Sequence, residues 1–152
     1  VMGKGYAKLM VDPVDAKKIE KAVKPFGVKL MPLDKLHLTL MYDKSNPDID
    51  PGVKKDTRYI ATVTGVEHMG EPGSKWEAVA LQLECPELKA RHLALRARGF
   101  KHSYDDLKLH VSLAYGPENV KLIPLIEKLL ADGKLPSHIH LDRETWKPLD
   151  DK

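Results

Sequence analysis

The 152-residue sequence holds 25 basic and 22 acidic residues, and its net charge of +3 indicates no class of partner. Its 42% hydrophobic and 31% charged residues are typical of a soluble protein long enough for a substantial core. No apolar stretch approaches the ~20 residues needed to cross a bilayer, and the single cysteine, Cys85, excludes an intramolecular disulfide or a cysteine-rich zinc site. We therefore expect one domain over residues 1–152, in a reducing cytoplasm and without a membrane partner.

The first predicted strand, residues 5–11, leads into a helix with clear start and stop signals. Asp12 suits the N-cap and Pro13 the first helical position, while Gly27 ends the helix. After the next strand, residues 43–52 carry nearly every loop signal, and we expect a surface loop there, placed where a substrate lid could lie beside His37.

Two apolar strands each carry a histidine followed two residues later by a hydroxyl. They are Leu36-His37-Leu38-Thr39-Leu40 and Leu109-His110-Val111-Ser112-Leu113. Because strand side chains alternate, each histidine shares a face with its hydroxyl. Strict alternation predicts one polar face with His37, Thr39 and Met41 and a second with His110, Ser112 and Ala114. The histidines lie 73 positions apart, each in a strand that follows a helix.

The remaining elements are a hairpin, two helices and a last strand. The hairpin strands are predicted over residues 58–66 and 76–83, around a turn at residues 70–73. The next helix begins at Pro86 and ends at Gly99, with Leu93 in its apolar stripe, and a third helix precedes a strand over residues 139–149. The order of elements repeats a helix followed by a histidine strand, which predicts one α+β domain with two pseudo-symmetric lobes.

Two imidazoles and two hydroxyls around one cleft would suit a phosphodiester. Histidine changes charge near neutral pH, so a pair can serve as general base and general acid. The hydroxyls are better placed to donate to the phosphate oxygens than to attack. We therefore predict His37, Thr39, His110 and Ser112 as the catalytic residues.

The repeated histidine, any residue, threonine or serine, apolar pattern resembles the two-histidine (2H) phosphoesterase superfamily. Both copies match, and the order of elements matches over essentially the whole chain. The resemblance implies a bilobal α+β fold with antiparallel sheets lining a central cleft and helices outside. It also implies cleavage or closure of RNA-type phosphodiesters without a metal or other cofactor.

More narrowly, the sequence around both motifs is similar to the bacteriophage anti-CBASS phosphodiesterases. That resemblance implies hydrolysis of the cyclic di- and trinucleotide signals of bacterial antiphage defence, in the cytoplasm of the infected host cell. The expected partner is a cyclic oligonucleotide rather than duplex DNA. Two alternatives remain open: a 2H enzyme of RNA ends, acting on 2′,3′-cyclic phosphates or 2′–5′ linkages, and a noncatalytic nucleotide sponge.

Nucleotide bases bind largely by stacking, so aromatic residues are candidates for substrate binding. The candidates are Tyr6, Trp76 and Trp146, of which Tyr6 and Trp146 are favoured, although either aromatic could instead fill a core position. Glu144 is a candidate acceptor for a base amino group.

A basic stretch over residues 85–102, with five basic residues and one acidic residue, is either an anion site or a solvated helix face. It would be the binding surface of a sponge. The histidines His68, His92 and His102 are expected on the surface, and no metal site is predicted.

Overall fold

The computed structural model describes residues 4–104 and 106–149. Within them, the strands are β1 (Tyr6–Val11), β2 (His37–Tyr42), β3 (Tyr59–Met69), β4 (Ala78–Glu84), β5 (His110–Tyr115) and β6 (His138–Lys147). The helices are α1 (Pro13–Val23), α2 (Pro86–Ala97), α3 (Pro117–Val120) and α4 (Ile123–Ala131), with short 3-10 turns at Lys24–Phe26 and Leu33–Lys35. No helix in this part of the chain is both long and apolar enough to cross a membrane.

Helix α1 begins and ends where its local sequence predicts. The Asp12 carboxylate accepts hydrogen bonds from the backbone N–H groups of Val14 and Asp15, at 3.1 Å and 3.4 Å. These bonds satisfy donors that have no partner inside the helix. After the 3-10 turn, Gly27 has a φ of +83°, a left-handed conformation that favours glycine and stops the helix.

The strands form one closed sheet in the order β1-β2-β5-β4-β3-β6, with every neighbouring pair antiparallel. It has two three-stranded halves, β2-β1-β6 and β5-β4-β3. Each half contains a strand, a helix and a histidine strand in succession, as β1-α1-β2 and β4-α2-β5. The α+β prediction with antiparallel strands is confirmed, and the two predicted sheets are joined edge to edge into a ring.

The hydrophobic core joins the apolar side chains of the strands to the helices. Its helical members include Ile19, Val23, Leu88, Leu95, Ile126 and Leu129. Burying each such side chain contributes about 1.5–3 kcal/mol relative to leaving it in water. The buried leucines of the histidine strands belong to this core, so the histidines on the same strands point away from it.

Candidate active site

The side-chain alternation of β2 breaks one residue after the hydroxyl. In the pairing with β1, the register passes from Thr39 to Met41, which leaves Leu40 as an extra residue. Leu40 and Met41 are therefore both fully buried. The expectation that Met41 shares the face of His37 is wrong, because the register shift returns Tyr42 to that face instead.

Strand β5 contains the same irregularity at the equivalent position. Its register with β4 passes from Ser112 to Ala114 and leaves Leu113 as the extra residue. Leu113 and Ala114 are fully buried, whereas Tyr115 is 39% exposed. The expectation that Ala114 shares the face of His110 is therefore wrong, and Tyr115 lies on that face instead.

The two histidine strands meet at a narrow seam. Within the described residues, β2 and β5 share one registered pair, Leu38 with Val111. Extending this antiparallel register by one residue on each side sets each histidine opposite the hydroxyl of the other strand. The opposed pairs are His37 with Ser112 and Thr39 with His110. The register thus groups all four predicted catalytic residues.

Both imidazoles are held in the same tautomer by backbone carbonyl groups. His37 Nδ1 donates to the Lys35 carbonyl at 2.9 Å, and His110 Nδ1 donates to the Lys108 carbonyl at 2.8 Å. Because a carbonyl oxygen can only accept, Nδ1 carries the hydrogen in each neutral ring and Nε2 keeps its lone pair. Each histidine can therefore take up a proton at Nε2.

The surroundings of His37 favour its neutral form. Burial lowers the pKa of His37 below the ordinary histidine value, although the hydrogen bond to Lys35 acts in the opposite direction. The positive charges of Lys8 and Lys147, and the second imidazole at His110, lower this pKa further. A neutral imidazole is the form that a general base requires.

Tyr6 lies in the site, with its hydroxyl group beside the imidazole of His37. The hydroxyl oxygen is 3.1 Å from His37 Nε2, and Tyr6 donates because Nε2 carries no hydrogen. Burial raises the pKa of Tyr6, although the neighbouring Thr39 side chain acts in the opposite direction, and the hydroxyl stays protonated. The Lys147 ammonium lies 5.2 Å from the centre of the Tyr6 ring. Sequence reasoning selected Tyr6 as a stacking residue and did not predict its hydrogen bond to His37.

A cavity of about 840 Å³ opens beside these residues, within the usual size range for small-ligand sites. Its walls come from β1, β2 and β5, from the end of the β3 strand and its turn, and from the segments that follow α2 and β6. Lining residues include Tyr6, Thr39, His110, Met69, Gly70, Tyr42, His102, Tyr104, Asp106, Lys108, Lys147 and Leu149. Lys108 and Lys147 supply positive charge suited to a phosphate.

The loop over residues 43–52, which was predicted as a substrate lid, does not line this cavity. Asp43 is 2% exposed, and its carboxylate accepts the Lys101 N–H at 2.7 Å and the Ser45 hydroxyl at 2.6 Å. Arg98 donates to the carbonyl of Asp50 at 2.8 Å. The bonds from Lys101 and Arg98 fasten the loop to the end of α2 and the segment that follows it.

Glu144 is buried in an ion pair rather than directed into the cavity. Its oxygens accept two hydrogen bonds from the Arg91 guanidinium, at 3.1 Å and 2.8 Å, and its relative exposure is 1%. The Lys54 N–H and the Trp146 indole also donate to it. Although burial alone would raise it, these donors hold the pKa of Glu144 below its ordinary value. The expectation that Glu144 accepts a base amino group is therefore wrong.

Trp146 occupies a packing position. Its ring centre lies 4.8 Å from that of Phe100, its indole N–H is bonded to Glu144, and it packs against the hydrophobic core. It does not line the cavity, so the favoured stacking role is corrected to the alternative of filling a core position.

Some basic side chains of the stretch over residues 85–102 form hydrogen bonds within the protein. Arg91 is 6% exposed and paired with Glu144. Helix α2 therefore buries Arg91, whereas Leu93, which was predicted in the buried apolar stripe, is 63% exposed. The Arg96 guanidinium donates to His92 Nε2, on the same helix, at 2.8 Å. The other four basic residues of the stretch, Lys89, Arg96, Arg98 and Lys101, are exposed, so only Arg91 is withdrawn from solvent.

Of the histidines expected on the surface, His92 is buried and His102 lines the cavity. His92 is 2% exposed, and its ring meets that of His102 edge-on with centres 4.9 Å apart. The backbone N–H of Tyr42 donates to His102 Nδ1 at 3.1 Å. Burial, together with His92 and Arg96, lowers the pKa of His102 to about 4. His102 is a cavity residue that no local sequence signal indicated.

Trp76 lies in the turn between β3 and β4 and is not among the residues that line the cavity. It is 65% exposed and meets the Tyr115 ring edge-on, with centres 6.2 Å apart. Across residues 4–104 and 106–149, no group of three or more His, Cys, Asp or Glu side chains is arranged to hold a metal ion.

Comparison with known proteins identifies a family over nearly the entire chain. The family model described as "Anti-CBASS protein Acb1" matches residues 4–152. The anti-CBASS protein Acb1 of Enterobacteria phage T4 is 26% identical over 119 residues, which cover 78% of this chain and 70% of that relative. Among solved structures, Usb1 of Kluyveromyces marxianus aligns with a TM-score of 0.48 at 12% identity, covering 92% of this chain and 91% of that one.

Proposed function

The chain belongs to the anti-CBASS protein Acb1 family, and from that membership we propose that it is a phosphodiesterase that opens cyclic oligonucleotide signals of antiphage defence. The observation that carries this proposal is the pair of imidazoles, each with Nδ1 committed to a carbonyl and each set opposite a hydroxyl of the other strand. We propose the cytoplasm of the infected bacterial cell as the place of action.

In the proposed reaction, His37 is the general base, because its surroundings favour the neutral form. Its Nε2 takes the proton of a ribose 2′-hydroxyl, whose oxygen then bonds to the adjacent phosphorus. The bond from phosphorus to the 5′-oxygen breaks, and His110 donates a proton to that leaving oxygen. The ring opens with a 2′,3′-cyclic phosphate at one end and a 5′-hydroxyl at the other. Water attack with the two roles reversed completes hydrolysis to a terminal phosphate.

The neighbouring polar groups stabilise charge in this scheme. Thr39 and Ser112 donate to the non-bridging phosphate oxygens, where negative charge develops. Lys8 and Lys147, the cations that influence His37, attract the phosphodiester to the cleft. On substrate binding, the ribose hydroxyl replaces the Tyr6 hydroxyl as the group that donates to His37 Nε2.

The direct test is incubation of the purified protein with a panel of 3′,3′-cyclic di- and trinucleotides in EDTA, with products identified by mass. We expect linear products. His37→Asn and His110→Asn should each slow turnover by about 100- to 10,000-fold, the usual contribution of one acid–base group. Both variants should still bind substrate. His138→Asn, which changes an exposed histidine on β6, is the matched control and should retain full activity.

Other outcomes of the same experiment decide against the proposal. Intact cyclic ligand together with tight binding would identify a sponge. Faster processing of RNA 2′,3′-cyclic phosphates or 2′–5′ linkages than of every cyclic substrate would identify an enzyme of RNA ends. Full activity in both histidine variants would contradict the mechanism.

A further inference from the structure

The two halves of the site share a feature beyond the histidine and hydroxyl. Each histidine is followed five positions later by a tyrosine, Tyr42 after His37 and Tyr115 after His110. In regular strands, an odd spacing would place tyrosine and histidine on opposite faces. The extra residue in each strand, Leu40 or Leu113, cancels this effect.

Strand pairing locates both tyrosines on the catalytic face. Tyr42 pairs with Tyr6, whose hydroxyl reaches the catalytic imidazole. Tyr115 pairs with Ala78, two residues along β4 from the partner of Ser112. Since residues directly opposite in an antiparallel pair share a face, Tyr115 lies on the face of Ser112.

A second aromatic residue from a neighbouring segment packs against each of these tyrosines. Tyr104, which follows α2 and is 57% exposed, packs on Tyr42 with ring centres 5.4 Å apart and planes 40° apart. Trp76, in the hairpin turn, packs edge-on against Tyr115. Tyr42 and Tyr104 both line the cavity, whereas Tyr115 and Trp76 lie outside its lining and are open to solvent, at 39% and 65% exposed.

The two aromatic pairs lie at opposite ends of the catalytic group. Because β2 and β5 run antiparallel, Tyr42 lies beyond Thr39 in one direction and Tyr115 lies beyond Ser112 in the other. With the extra residue discounted, each tyrosine is two strand steps, about 7 Å, beyond its hydroxyl. A phosphodiester held by the hydroxyls has one nucleoside on each side.

We propose that the Tyr42–Tyr104 and Tyr115–Trp76 pairs are two base-stacking platforms, one for each nucleoside that flanks the reacting phosphate. This inference rests on the proposed function for the nature of the ligand. Every base can stack on an aromatic face. The platforms therefore require a base on each side of the phosphate but do not distinguish which base it is. Loss of one platform should weaken binding about 5- to 150-fold, the usual effect of removing one base–aromatic stack.

Binding of cyclic di-(2′-deoxyadenosine monophosphate) tests this inference without turnover, because this ligand lacks the attacking hydroxyl. By calorimetry, Tyr42→Ala and Tyr115→Ala should each raise Kd about 5- to 150-fold. Tyr42→Phe and Tyr115→Phe keep the ring and should bind as the parent protein does. Phe26→Ala, which removes a 47% exposed aromatic away from the cavity, should leave Kd unchanged.

Kinetics with one-base and two-base substrates separates the platforms. For the dinucleoside monophosphate ApA, both alanine variants should raise KM. For adenosine 3′-(methyl phosphate), which has no base on the leaving side, only one variant should do so, and it identifies the platform for the attacking nucleoside. Equal losses on both substrates would indicate a structural defect and would overturn the inference.

The outcomes distinguish this inference from the proposed function. If the parent protein opens cyclic dinucleotides while both alanine variants bind normally, the platforms are wrong and the function stands. If no substrate is turned over but the alanine variants lose affinity, the function is wrong and the platforms stand. If the phenylalanine variants bound the ligand as weakly as the alanine variants, the tyrosine hydroxyl groups rather than ring stacking would account for binding, and the inference would be overturned.

Discussion

The buried ion pair between Arg91 and Glu144 gives the sharpest test of the corrected site. Replacing Arg91 by methionine leaves the Glu144 carboxylate with two of its four hydrogen bonds and no cation. Removing one partner of a buried pair typically costs about 3–5 kcal/mol. For a chain of this length, that loss corresponds to a fall in Tm of about 6–20 °C. The double variant Arg91→Met/Glu144→Gln should recover most of this loss, because no charge then stays buried alone.

The pH dependence of stability should reverse between the parent protein and Arg91→Met. In the parent, the pKa of Glu144 is lowered on folding, so its contribution is present above the unfolded value of about 4.3 and is lost as the pH falls below it. Without Arg91, burial should raise this pKa above the unfolded value. The variant should therefore gain stability, relative to the parent, as the pH falls from 7 to 5.

Urea unfolding of the parent, both single variants and the double variant at pH 7 and pH 5 measures these effects. KM for a cyclic dinucleotide is measured in parallel under conditions where each protein is folded. Parent-like stability in Arg91→Met, combined with a raised KM in Glu144→Gln, would return Glu144 to the role of a substrate-binding residue and refute the ion-pair argument.

Two further predictions concern the reaction. Thr39→Val and Ser112→Ala each remove one donor to the phosphate, and kcat should fall by about 100- to 1,000-fold with little change in binding; unchanged kcat in single-turnover assays would exclude the donor role. Lys8→Gln removes a positive charge that lowers the pKa of His37, so that pKa should rise and the acid limb of the kcat/KM profile should move to higher pH. An acid limb that stays in place or moves to lower pH would contradict the assignment of His37 as the base.

Features set by neighbouring residues were predictable from the sequence. The α1 boundaries follow from a capping carboxylate at Asp12, a proline and Gly27, each acting within a few positions. The catalytic strands follow from alternation around His37 and His110, and their repetition identified them as one site. Alternation failed only after the hydroxyls, because the register shifts arise from pairing with β1 and β4.

Contacts between distant segments were not predictable in the same way. Glu144 is an acidic residue near a cluster of polar neighbours, which is typical of an exposed strand end. Its burial depends on Arg91, which lies 53 positions away. His102 likewise joins the cavity wall because the backbone of Tyr42, 60 positions away, donates to its ring. Hydrophobic periodicity carries no information about such polar pairings, since both partners read as surface residues.

The seam between β2 and β5 has a mechanical consequence for the cleft. One registered pair joins these strands, whereas four join β3 to β6 on the other side of the ring. The two halves are therefore held together mainly by the β3–β6 pairing, and the β2–β5 seam is the one more easily opened. The width of the cleft depends on the relative orientation of the two halves. A ligand that contacts both histidine strands would link the halves at the seam that has the fewest backbone pairs.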